Sequence, residues 1–370
     1  MASRKEEMVM DLKQNPFSLY DFLGYLIPGA LFLYTAEVVV VSFEVTKVAD
    51  YPNLLQMVKA VVEAMDNRLV MLSWHTYIPL TILAYTVGQI LSFLSSISIE
   101  KYVVWSCGYP SKYLLRQIPK GYVDIEFTTE DPTLRRTVQK LNRLLVFIFL
   151  SPISAIDQSL GRFFGIQREY SKPLDSLLRR SLRRKIHDFL RTNVLTSYQT
   201  EKEADPDPYP LPRDSDFFRF IHHYALENAP KHVQPMQNYV ALYGFLRTVS
   251  FVFVLLFWVL PFVAISRSLP ILGALVALLI MFIVAAYLLL AVKYFFKRRY
   301  AVWWSIVLIA LGGTFSAVEN NALLLISCFL AYTTFLGFQK FYRRHTYEAL
   351  MAMAVTYIER AGEKKERKLR

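Results

Sequence analysis

The chain has 370 residues, 54% hydrophobic and 15% aromatic, with a mean hydropathy of +0.29. Only 19% are charged, against about 25% in ordinary soluble domains, which leaves too little polar surface to coat water-soluble globules. Disorder, a collagen repeat and a disulfide-stapled scaffold are excluded, since the only cysteines are Cys107 and Cys328 and neither has zinc-site spacing.

A bilayer core needs roughly 20 apolar residues of helix. The N-terminus opens with mixed charge and lacks a small-residue cleavage site, so its first apolar run reads as a retained anchor. That run, 22–43, and a second, 77–99, predict two early spans; 246–265, 271–292, 301–317 and 322–338 predict four more. Lys and Arg gather on the cytoplasmic side. The stretch 44–75 is slightly acidic, whereas Lys293, Lys297, Arg298 and Arg299 sit together between the fourth and fifth predicted spans without an acid. A basic tail ends in EKKERKLR. Six spans with both termini cytoplasmic satisfy these biases. The net charge of +12 therefore sets topology before it suggests a polyanion, and nucleic acid is not expected as the main partner.

The predicted fold is all-α. It has an N-terminal tail and transmembrane hairpin over 1–99, a basic cytosolic helical domain inserted over 100–245 between spans two and three, a four-helix transmembrane region over 246–338, and a basic cytosolic tail over 339–370. Within the insertion, the apolar run 144–156 is broken by Pro152 and reads as a buried or membrane-lying helix. The segment LDSLLRRSLRRKIHDFLRT follows, with Leu174, Leu177, Leu178, Leu182, Ile186 and Phe189 assigned to one face and Arg180, Arg183, Arg184 and Arg191 to the other. Such a basic face would meet anionic lipid, an anionic ligand or a partner, or would be a solvated surface. A proline-rich acidic loop, EKEADPDPYPLPRDSD, precedes a helix starting at Phe217 that Asp214 or Ser215 would cap.

His222, His223, Glu227 and His232 form the constellation closest to an active site. A His at i and a Glu at i+4 share a helix face, and a third ligand from the next turn would complete a divalent-metal site. The same pair is also an ordinary i,i+4 hydrogen-bonding pair, and no cofactor is otherwise expected. Inside the two early predicted spans, Glu37 and Gln89 are the polar residues that call for a role. Glu37 either snorkels from near its helix end or lies on an ion path. Gly88, Ser92 and Ser96 form a small-residue stripe that suits close helix packing, within the chain or between copies. The sequence contains no phosphate loop, dinucleotide fingerprint, GxSxG elbow or HExxH motif.

Four strings, NPFSLYDFLGYLIPG, SFLSSISIEKY, GYPSKYLL and NAPKHVQPMQNYVALYGFLR, resemble a loose set of bacterial multi-pass inner-membrane proteins that carry no assigned activity. The resemblance implies location in a bacterial inner membrane and supplies no site. The sequence points to an oligomeric sensor or effector whose basic cytosolic domain binds an anionic ligand, lipid or partner and whose helices permeabilise the membrane. A metal-dependent membrane enzyme, or a transporter or channel, is the alternative.

Overall fold

The computed structural model describes residues 21–48, 54–70, 74–117, 133–161, 163–193, 209, 211, 217–268 and 321–369. Among these the chain is all-helical. A π-helical turn, Phe22–Leu26, leads into α1 (Ile27–Val48). Helix α2 (Leu54–Val70) follows, and α3 (Trp74–Ser95) runs antiparallel to α1. A second π-helical turn, Ser96–Glu100, carries α3 directly into α4 (Lys101–Cys107). Gly108, at φ 84°, ends α4 in a backbone conformation that side-chain-bearing residues avoid. Pro110 then opens α5 (Pro110–Leu114), at a first-turn position where a missing N–H costs nothing.

Next come α6 (Thr133–Phe149), α7 (Ser151–Ile156), a third π-helical turn Asp157–Gly161, α8 (Ile166–Tyr170) and α9 (Ser176–Asn193). The last three are α10 (Phe217–Asn228), α11 (Pro230–Ser268) and α12 (Asn321–Leu369). Four helices are long and apolar enough to cross a membrane, over Phe22–Ser42, His75–Leu114, Pro230–Phe262 and Leu323–Tyr357. They overlap the first, second, third and sixth predicted spans. The predicted spans 271–292 and 301–317, with the basic joint between them, lie outside the described residues, as do Asp214 and Ser215.

Helices α11 and α12 form the spine. They run antiparallel with the most extensive helix–helix contact in the structure. Around their middle, Val252, Val254, Ala331, Phe335 and Phe338 pack against Leu91 and Ile99 from the α3 arm, Tyr102 and Val103 from α4, and Leu150 and Ile153 from the α6–α7 corner. The run 144–156 is accordingly divided between the end of α6 and α7, which meet at Leu150, with Ile148, Leu150 and Ile153 buried. Ser250 donates to the carbonyl of Ala331 (2.8 Å) and the Trp258 indole to that of Phe149 (2.8 Å), which fixes the register of three elements.

At one end, α2 lies on α1 through Val41, Val61 and Met65. At the other, a helical module has its own core, in which Leu114, Leu182, Ile186, Phe189, Phe217 and Ile221 surround Leu350 and Met353 of α12. Small residues let α10 approach α12 and the start of α11, with Ala225, Ala229, Ala349 and Ala352 all buried. Neither α11 nor α12 breaks between this module and the spanning level; α11 passes 245 and α12 passes 338 without interruption. The sixth span, short by composition, is one part of a 49-residue helix.

Candidate functional site

Arg247 on α11 is the central polar group. It is 7% exposed, and its guanidinium pairs with the Glu100 carboxylate. It also donates to the Ser95 hydroxyl (3.2 Å) and to the Ser92 carbonyl (3.5 Å), while Ser95 lies 3.5 Å from the Thr248 hydroxyl. Buried charges persist only when paired and hydrogen-bonded, and here one arginine is served by three residues of the α3 arm. The π-helical turn Ser96–Glu100 widens that arm where Glu100 must reach α11, a placement typical of such turns near functional groups.

A second polar point repeats the device. The turn Asp157–Gly161 presents Asp157, 0% exposed, and the Tyr102 hydroxyl donates to its Oδ2 at 2.9 Å. Tyr332 brings a third oxygen to the same place: a methyl group added at Gly161 would lie 2.8 Å from the Tyr332 hydroxyl and 3.2 Å from Asp157 Oδ1.

Beside Arg247, an open cleft of about 610 Å³ lies between the α3–α4 arm and α6. Glu100, Lys101, Trp105, Gln139, Asn142 and Arg143 line it, and the Arg143 guanidinium sits 5.6 Å above the Trp105 ring.

The basic helix α9 is only partly the surface its sequence suggests. Arg180, Arg184 and Arg191 are exposed, but Arg183 is 1% exposed. Arg183 donates to the carbonyls of Tyr209 (3.2 Å) and Leu115 (3.1 Å), tying Tyr209 and the end of α5 to α9. Leu177, assigned to the apolar face, is 78% exposed. It precedes Ile186 by nine residues, two and a half helical turns, and so faces the opposite way. Arg183→Met is expected to destabilise the module by about 2 kcal/mol, because two carbonyls lose their donor. Arg180→Gln, Arg184→Gln and Arg191→Gln together should leave its melting temperature unchanged. Thermal unfolding followed by circular dichroism separates the two classes.

The histidine constellation does not assemble. His232 is hydrogen-bonded through Nδ1 to Glu348 Oε1 on α12 (2.7 Å), while His223 and Glu227 are exposed. His222 turns to His345 of α12, ring centroids 5.3 Å apart, with Phe218 and His223 also against it. Among the described residues no three His, Cys, Asp or Glu side chains converge to hold a metal. The sequence missed His345 because it lies more than a hundred residues from its neighbours in space.

Burial, and to a lesser degree the His223 charge, hold the His222 pKa below its ordinary 6.5. The neutral form is thus favoured in the folded state. Its stability contribution is complete above pH 6.5 and is lost as pH falls from there through the depressed native value. The melting temperature should drop between pH 7.5 and 5.5, and His222→Phe should flatten that slope.

Glu37 is not an isolated intramembrane charge. Arg68 of α2 reaches it at 2.6 Å and also pairs with Glu44, two turns further along α1. All three groups are about half exposed, so the clamp orients α2 more than it stabilises the fold. Gln89 is exposed. Within the small-residue stripe, Gly88 meets Tyr25 in the π-helical turn before α1, Ser92 is buried beside Arg247, and the Ser96 hydroxyl donates to Phe93 O at 2.8 Å. Gly88 and Ser92 are thus packed within the chain, while Ser96 lines the open cleft.

Sequence reasoning passed over Arg247, Glu100, Asp157 and Arg143. Arg247 carried a signal, as a lone charge at the edge of a strongly apolar run. No protein-family model, curated protein or solved structure matches the chain.

Proposed function

We propose that this chain is an integral membrane sensor and effector. Its helical module is cytosolic and meets an anionic ligand, lipid or partner; its spanning helices assemble with those of other copies and open the membrane to ions. The observation supporting this reading is the continuity of α11 and α12. Each contributes side chains to the module core (Met236; Leu350 and Met353) and to the spanning-level core (Val252; Phe335 and Phe338) within one unbroken helix. The two cores thus share the same two helices, which gives a change in the module a direct path to the spanning level. The basic residues left exposed on α9, Arg180, Arg184 and Arg191, give the module its anion-facing surface.

The test is release of a trapped dye from vesicles reconstituted with the full chain, in phosphatidylglycerol-containing and in pure phosphatidylcholine membranes. Leakage that is faster in the anionic vesicles and depends on protein density supports the proposal. A folded, monodisperse monomer that leaks in neither membrane overturns it.

A further inference from the structure

Between the third π-helical turn and α8 the chain shows its most exposed aromatic pair. Leu160, Phe163 and Phe164 are 48%, 80% and 68% exposed, and the two phenyl rings stand edge to face, 5.1 Å apart. The Phe164 amide donates to the Leu160 carbonyl at 2.9 Å, so one turn of chain gathers all three. Gly165, at φ 71°, then reverses the backbone, and a Cβ on it would meet no atom within 4 Å. The turn stands clear of its neighbours with its apolar side outward. Single exposed apolar residues are ordinary, but three gathered on a projecting turn mark an apolar contact.

The attachment of this turn to α12 says which contact it is. Before the phenylalanines, a methyl group at Gly161 would lie 2.8 Å from the Tyr332 hydroxyl. After them, Arg343 donates to the Glu169 carbonyl. From residue 332 to residue 343 is about 16 Å of helix, and within that interval α12 changes character. Phe335 and Phe338 are buried in the spanning-level core, whereas Lys340 and Arg344 are exposed, as cations at the end of a span are. The turn is therefore fastened to α12 where that helix passes from apolar to basic. Arg168 and Lys172, just beyond the turn, are exposed, and the acid between them, Glu169, lies 4.0 Å from Lys172.

We infer that the turn bearing Phe163 and Phe164 is a membrane-interface anchor. Both rings enter the boundary between head groups and acyl chains of the bilayer that α12 crosses, on the side of the helical module, and Arg168 and Lys172 remain at head-group level. The chain from 157 to 175 joins the spanning-level core to α9, so the anchor sets how closely α9 is held to the membrane. It rests on the reading of α12 as a spanning helix but not on assembly or leakage, so the vesicle assay can fail while the anchor stands.

Lipid photolabelling of the unmutated full chain tests it. The protein is placed in nanodiscs of phosphatidylcholine and phosphatidylglycerol that carry a diazirine on one acyl chain, illuminated, and digested with trypsin. The peptide 163–168, released by cleavage after Arg162 and Arg168, should carry lipid adducts. So should the peptide holding Phe329, which is 64% exposed on α12. Adducts at Phe329 with none on 163–168 overturn the anchor and leave α12 in the membrane. Adducts on neither overturn the anchor and the membrane reading together. Depth is read from Phe163→Trp, whose emission is the difference from the parent with its five tryptophans. Interfacial segments lie about 5–10 Å into the boundary, so lipid brominated high on the chain should quench it about twofold more than lipid brominated near the chain end. Quenching by aqueous iodide and by neither lipid overturns the inference. Quenching by none of the three shows that protein, such as a second copy, covers the rings, and overturns it as well.

Discussion

Gly88→Ala should unfold the α1–α3 pair, although the same exchange inside an exposed helix ordinarily gains about 1 kcal/mol. A Cβ on Gly88 would lie 1.8 Å from the Tyr25 carbonyl oxygen and 2.6 Å from its carbon, both backbone atoms that no rotamer change can move. Gly29 meets the reciprocal condition, 1.8 Å from the Ala84 oxygen. The two helices touch backbone to backbone through their glycines, so even one methyl group forces the axes apart and strips the contacts around the crossing. The expected loss is about 3 kcal/mol, the upper end of what overpacking costs. Gly337→Ala is the matched control, because its Cβ would meet only the Leu246 side chain, 3.0 Å away and able to rotate. Melting temperatures in detergent should fall for Gly88→Ala and Gly29→Ala and stay close to the parent for Gly337→Ala. A Gly88→Ala protein as stable as the parent would show that the helices do not cross at these glycines.

Removing Arg247 should be comparably damaging by a different route. Arg247→Met leaves the Glu100 carboxylate without its counter-charge and removes the guanidinium donor from the Ser95 hydroxyl. Breaking a buried pair from one side costs about 3–5 kcal/mol. The lower end applies here, because the Glu100 side chain is 30% exposed and recovers some hydration. Replacing both partners, Arg247→Met with Glu100→Gln, removes the stranded charge and should restore most of the loss. A double-mutant cycle measures the coupling directly. Additive effects of the two changes would show that the ion pair contributes nothing of its own.

The positions of four long apolar helices were legible because hydropathy over a 20-residue window reports the solvent and not the fold. What the window could not show is continuity. The end of an apolar run is not the end of a helix, and α12 proceeds from Phe338 through polar Gln339, Lys340 and Arg343 without a break. Helix α2 was hidden for the opposite reason: its sequence is amphipathic and too polar for a span, so it counted only as part of the connecting stretch 44–75. For α9, the facing of individual residues depends on where the buried arc is centred. The core takes Leu182, Ile186, Phe189 and Leu190, and Arg183, three residues before Ile186, falls at the margin of that arc instead of among the exposed arginines. The paired polar points, Arg247 with Glu100 and Asp157 with Tyr102, join residues far apart in the chain. One sequence carries the charges but not the pairing.

The sequence separation of the first of these pairs has a consequence for how the protein is made. Glu100 and Arg247 are 147 residues apart. Chains emerge at about 5–20 residues per second, so the α1–α3 hairpin is complete on the order of ten seconds before its arginine exists. Throughout that interval Glu100 lacks the charge that neutralises it in the finished protein. The hairpin must therefore wait, half-assembled, with an acid at its edge. Slow translation between the two segments would lengthen that exposure, and a chain truncated before Arg247 would never end it.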